Sequence, residues 1–84
     1  MRDYLVVDLE ATCDERGRLP REEMETIEIG AVLIDGALLM KSGALESRGE
    51  FQCFIRPIRH PVLSEFCRQL TSIRQEDVDQ ATRK

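Results

Sequence analysis

Tryptophan is absent, and only one tyrosine and three phenylalanines are present in 84 residues, so aliphatic side chains must fill any core. There is no excess of positive charge: 16 acidic residues face 12 basic ones, for a net charge of −4. That excludes a protein that holds nucleic acid by bulk charge, because such domains carry a positive balance. Any contact with a polyanion must be local or metal-mediated. No apolar run approaches the roughly 20 residues of a transmembrane helix. Tyr4 to Val7 is also too short for the core of a secretory signal. The cysteines, Cys13, Cys53 and Cys67, are odd in number and none are spaced C-x-x-C. A secreted disulfide framework needs an even set, so reduced thiols in a cytoplasmic protein are expected, with no membrane contact.

What is there is ordinary for a globular domain, 42% apolar and 33% charged, which excludes a disordered or collagen-like chain. A single domain of this length buries only roughly 60–65% of its unfolded surface, so the core is thin. Tyr4 to Leu9 is rich in β-branched residues and apolar on both faces until Asp8, the pattern of a central strand. Asp14 to Glu25 carries eight charges in twelve residues and reads as a solvated connector. Thr26–Ile34 alternates as a second strand, and Gly49–Arg56 as a third ending before Pro57. Between them, Asp35-Gly36 suggests a turn, or a ribbon that continues through Ala37 to Met40 and bends near Lys41-Ser42-Gly43. Ser64 is a candidate N-cap for a helix to Leu70, with Phe66, Cys67 and Leu70 as its inward stripe. A second helical start runs from Gln75 to Ala81, with Val78 and Ala81 inward. The expected fold is α/β, a three-stranded, mostly antiparallel sheet with one or two helices on one face.

The residues that bear chemistry are Asp8 and Glu10. At i and i+2 on a strand they point to one face, roughly 6–7 Å apart. Neighbouring carboxylates repel, and a hard divalent cation such as Mg²⁺ or Mn²⁺ relieves them through oxygen ligation. By spacing alone a solvated strand end is the commoner reading, because D-x-E arises freely by chance. Glu28, among strand apolars, is expected to face a basic partner such as an arginine. Arg56, Arg59, Arg68 and Arg74 against the single acid Glu65 give that stretch a local excess of three positive charges. That excess suits either a phosphate backbone or a solvated helix face. His60 reads as a surface or capping histidine. Cys13, Cys53, His60 and Cys67 lack the paired spacing of a zinc site.

The wider context is specific. Val7-Asp8-Leu9-Glu10-Ala11-Thr12-Cys13, followed after the acidic connector by Ile27-Glu28-Ile29-Gly30-Ala31-Val32, resembles the opening of the DEDDh 3′→5′ exonucleases. Phe54-Ile55-Arg56-Pro57, His60-Pro61, Leu63-Ser64-Glu65-Phe66-Cys67 and Leu70-Thr71-Ser72-Ile73 are similar to the branch with the enhancer-of-RNAi and sporulation-inhibitor exoribonucleases. The sequence departs from that branch at Ser72, where glycine is common.

The resemblance implies a ribonuclease H-like fold and two-metal phosphodiester hydrolysis at the 3′ end of RNA or single-stranded nucleic acid, with Mg²⁺ or Mn²⁺. Asp8 and Glu10 would be the catalytic and metal-ligating carboxylates. Leu9, Ala11 and Thr12 would meet the terminal nucleotide, Thr12 through its hydroxyl, and Leu70 and Thr71 would border its base. The family's second and third aspartates and its histidine come later in the domain, so residues 1–84 correspond to its N-terminal part. Such a part is expected to be nearly inactive alone and to offer an uncovered strand edge for self-association. The competing reading is a non-catalytic interaction module that pairs through that edge. A small zinc domain comes third.

Overall fold

The fold was described from a computed structural model, over residues 2–83. β1 (Tyr4–Ala11), β2 (Thr26–Ile34) and β3 (Ser47–Phe54) form one antiparallel sheet in the order β1-β2-β3. Tyr4 pairs with Ile34, Asp8 with Gly30 and Glu10 with Glu28, after which the register shifts between Glu10 and Ala11. β3 continues the ladder, Gln52 opposite Gly30 and Phe54 opposite Glu28. The third strand starts two residues earlier than its sequence suggests and ends at Phe54. Beyond it Ile55 donates its N–H to the Ile27 carbonyl at 2.8 Å and makes an isolated bridge to Arg83. β1, read as a central strand, lies at the sheet edge, because among the described residues only β2 pairs with it.

The stretch Ala37 to Met40 is not a ribbon. It belongs to helix α1 (Gly36–Ser42). Asp35 caps it, its Oδ1 accepting from Leu38 N at 3.0 Å, and Gly43 closes it in the left-handed region at φ 74°. Ala, Leu, Leu, Met and Lys are good helix formers, so once both ends are capped the helix wins over the apolar alternation. Gly36 is required there, since a Cβ would sit 1.5 Å from the Arg2 carbonyl oxygen.

α2 (Glu65–Thr71) and α3 (Gln75–Asp79) follow. The core is Ile27, Leu63, Cys67, Ile73 and Val78, gathered at one end of the sheet. The expected α2 stripe is therefore corrected. Cys67 is fully buried, but Phe66 and Leu70 are exposed, because the seven-residue helix meets the sheet end only along its Cys67–Thr71 side. Val78 is inward as expected, and Ala81 is half-buried. Ser72 takes the left-handed C-cap position at φ 64°, where glycine fits without a Cβ penalty.

The rest of the sheet projects from this core. The Cα radius of gyration is 16.1 Å, against about 12 Å for a compact domain of this length. Tyr4, Leu5, Val6, Val7 and Leu9 of β1 are each at least half exposed, on both faces of the strand.

Candidate active site

Asp8 and Glu10 lie on the same face of β1, in the stretch that stays in register with β2. Gly30 stands opposite Asp8 and leaves no side chain beside it. The result is a shallow groove of about 520 Å³ lined by Val6, Asp8, Gly30, Val32, Glu50 and Gln52. Glu10 faces Glu28 directly across the pair. Like charges so placed destabilise a sheet, and a cation between or beside them removes the cost. Glu28 is held by Gln52, whose Nε2 donates to Oε2 at 2.7 Å, so its partner is a neutral amide rather than the expected arginine. Among the described residues no ion pair engages Asp8 or Glu10.

Directly after Glu10 the chain is tied down on several sides. The Ala11 carbonyl accepts from Cys67 Sγ at 3.7 Å, and the Cys13 carbonyl from Ser64 Oγ at 2.7 Å. Ser64 Oγ also accepts from Cys67 N at 3.0 Å, so one hydroxyl caps α2 and docks it beside the strand end. Thr12, 3% exposed, donates its N–H to the Glu25 carbonyl, and its Oγ1 accepts from Glu25 N at 2.8 Å. The Thr12 hydroxyl, expected to face a 3′ end, is thus directed into the fold. Leu9 is exposed on the face opposite Asp8. Leu70 is exposed near the far end of α2, about 10 Å of helix from Ser64. The Thr71 hydroxyl donates to the Cys67 carbonyl at 2.8 Å. The strand and α2 are therefore joined through Ala11, Cys13, Ser64 and Cys67, while Leu70 stands clear.

His60 is occupied structurally, its Nε2 2.9 Å from Glu23 Oε1. Cys13 and Cys67 are neighbours, and burial together with that second thiol pushes the Cys13 thiol up to about 11. Glu25, Glu23 and the docking role of Ser64 were not singled out by sequence reasoning. Only the capping role of Ser64 left a local signal.

As a metal site, the chain offers the right donors in incomplete number. Asp8 and Glu10 are hard oxygen donors on one face, yet no group of three His, Cys, Asp or Glu side chains able to hold a metal occurs among the described residues.

The exonuclease family model matches residues 5–84, nearly the whole chain. The chain belongs to the exonuclease family. Human ERI1 exoribonuclease 2 is 43% identical over 79 residues, covering 93% of this chain and 10% of that protein. Among solved structures, the nuclease domain of 3′hExo, a DEDDh family member bound to rAMP, matches with a TM-score of 0.79 at 38% identity. That match covers 94% of this chain and 36% of the domain. A complex showing 3′-end-specific recognition of a histone mRNA stem-loop by a 3′-exonuclease matches equally, with 32% of that chain covered. The sheet and helices described above are accordingly those of a ribonuclease H-like exonuclease domain. This chain spans about a tenth of the exoribonuclease and about a third of the solved structures.

Proposed function

We propose that this chain is the N-terminal part of a 3′→5′ exonuclease domain that hydrolyses RNA or single-stranded nucleic acid from its 3′ end, and that Asp8 and Glu10 are its metal-ligating carboxylates. The observation that carries this reading is the shared face of Asp8 and Glu10 beside Gly30, in a chain whose relatives are 3′→5′ exoribonucleases. Mg²⁺ or Mn²⁺ suits the donor type, with the remaining ligands supplied from outside these residues. When bound, such ions offset the negative charge that gathers on a phosphodiester during hydrolysis.

The chain's own residues do the rest. Asp8 and Glu10 present their oxygens from a strand whose far end is pinned at residues 11–13, so they hold a fixed separation. The backbone around Leu9, Ala11 and Thr12 borders the terminal nucleotide, with Leu70 and Thr71 toward its base. Because Thr12 Oγ1 is engaged by Glu25 N, Thr12 contributes through its backbone and its fixed position. The same reading keeps the chain in a reducing cytoplasm with free thiols, and it makes residues 1–84 alone nearly inactive.

The test is a chimera in which residues 1–84 replace the matching part of the 3′hExo nuclease domain. Given RNA labelled at its 5′ end and Mn²⁺, the chimera is expected to yield a ladder of 3′-shortened products, and Asp8→Ala to lower the rate by several orders of magnitude. A folded chimera that leaves RNA intact, or one indifferent to Asp8→Ala, refutes the proposal.

A further inference from the structure

Glu25 binds two other parts of the chain at once. Its carboxylate accepts the backbone N–H groups of Ile58 at 2.8 Å, Arg59 at 3.0 and 3.2 Å, and His60 at 3.0 Å. Its own backbone makes both bonds to Thr12, N to Oγ1 and O from N, each at 2.8 Å. Next to it, Glu23 Oε1 holds the His60 ring at 2.9 Å and lies 3.6 Å from Arg59 Nε. Three successive N–H groups converging on one anion form a nest of the kind that elsewhere binds phosphate, filled here from within the chain.

The place of this clasp matters more than its strength. Thr12 is two residues beyond Glu10, and the sheet register breaks between Glu10 and Ala11. The shift skips Ile27 on β2 and Ala11 pairs again with Thr26, so Glu10 sits at a bulge whose far side is set by what holds residues 11–13. Cys67 and Ser64 hold the carbonyls on either side, while among the described residues Thr12, between them, has its polar contacts with Glu25 alone.

We infer that Glu25 is a positioning residue for the Asp8–Glu10 site: by closing the nest of residues 58–60 it fixes the Thr12 backbone and, through it, the Glu10 carboxylate. The inference rests on the metal-site reading above and names how that site is kept in shape. A carboxylate is needed because an amide has a single acceptor oxygen, and its NH₂ would face donors. Glu25→Gln therefore keeps the volume of the side chain and spoils the nest.

Four proteins test this: the chain as it stands, Glu25→Gln, Asp8→Ala, and Ile73→Val, a mild change in the core cluster that removes none of the clasp's hydrogen bonds. Mn²⁺ affinity is read by water-proton relaxation well below the melting temperature, and the Thr12 amide by hydrogen exchange. Expected are about tenfold weaker Mn²⁺ binding for Glu25→Gln, the lower bound for outer partners of a metal ligand, and clearly faster Thr12 exchange. Ile73→Val is expected to lower the melting temperature and leave both readings nearly unchanged. Mn²⁺ binding by Glu25→Gln equal to that of the parent overturns the inference, as does an equal loss in Ile73→Val. If Asp8→Ala binds Mn²⁺ as the parent does, the metal reading fails instead. The clasp is then judged by the Thr12 exchange rate and the Glu10 backbone shifts, and it too falls if Glu25→Gln leaves both unchanged.

Discussion

Replacing Ser64 by alanine removes two bonds from one hydroxyl. The N-cap bond from Cys67 N, at 3.0 Å, is lost at about 1 kcal/mol. The bond to the Cys13 carbonyl, at 2.7 Å, joins residues 51 apart. Losing it leaves a half-buried acceptor without its donor, at about 1 kcal/mol or more. Together these give about 2 kcal/mol. In a domain of this size, where 1 kcal/mol moves the midpoint by roughly 4–8 °C, the melting temperature falls by about 8–16 °C. Asp35→Ala is the matched control, because its side chain caps α1 by one local bond to Leu38 N. It is expected to cost about 1 kcal/mol. The assay is urea denaturation of both variants and the parent, followed by circular dichroism. If Ser64→Ala costs no more than Asp35→Ala, the hydroxyl does not dock α2 on the strand end, and the pinned junction after Glu10 is wrong.

Other outcomes follow from single groups. Ser72→Gly is expected to raise stability by about 1 kcal/mol, because the left-handed C-cap at φ 64° burdens any Cβ; unchanged urea midpoints would contradict it. Burial raises the Glu25 carboxyl but is outweighed by the N–H groups of Ile58, Arg59 and His60, and then by His60 charge, so its net position is below the usual carboxylate range. Its contribution is present above the ordinary value of 4.5 and lost as pH falls through the lowered one. The melting temperature should therefore fall on acidification, and less steeply in Glu25→Gln. Cys13, raised by burial and by Cys67 from 9.0 to about 11, is expected to resist alkylation at pH 8. Folding stability should decline as pH rises through that interval, because the unfolded chain then releases the proton first. Rapid labelling of Cys13 in mass spectrometry would contradict the packing.

Much of this fold was legible where one periodicity ruled. Thr26–Ile34 alternates cleanly and is a strand at both of its expected ends. Ser64 announced α2, since a short polar residue before a helical run has one main use. The stretch after Asp35 was not legible in the same way. Five apolar or helix-forming residues suit a buried strand as well as a helix, and the decision lay with the caps, Asp35 and Gly43. The α2 stripe failed for a different reason. Periodicity gives the face of a helix but not how much partner surface that face meets, and here the sheet end covers Cys67 and leaves Phe66 and Leu70 open. At the site, the i, i+2 spacing was enough to put Asp8 and Glu10 together. The clasp was beyond reach, because Glu25 and residues 58–60 are more than thirty positions apart and no local pattern joins them.

The claim on which everything functional rests is that Asp8 and Glu10 receive a divalent ion. It is tested most directly by Mn²⁺-induced broadening of backbone amide signals in the ¹⁵N-labelled chain, a measurement that reports weak sites as well as strong ones. Broadening is expected to centre on Asp8, Glu10 and the facing Gly30, and to be lost in Asp8→Ala. Broadening centred elsewhere, such as on the exposed acids of residues 14–23, or a pattern unmoved by Asp8→Ala, would contradict it.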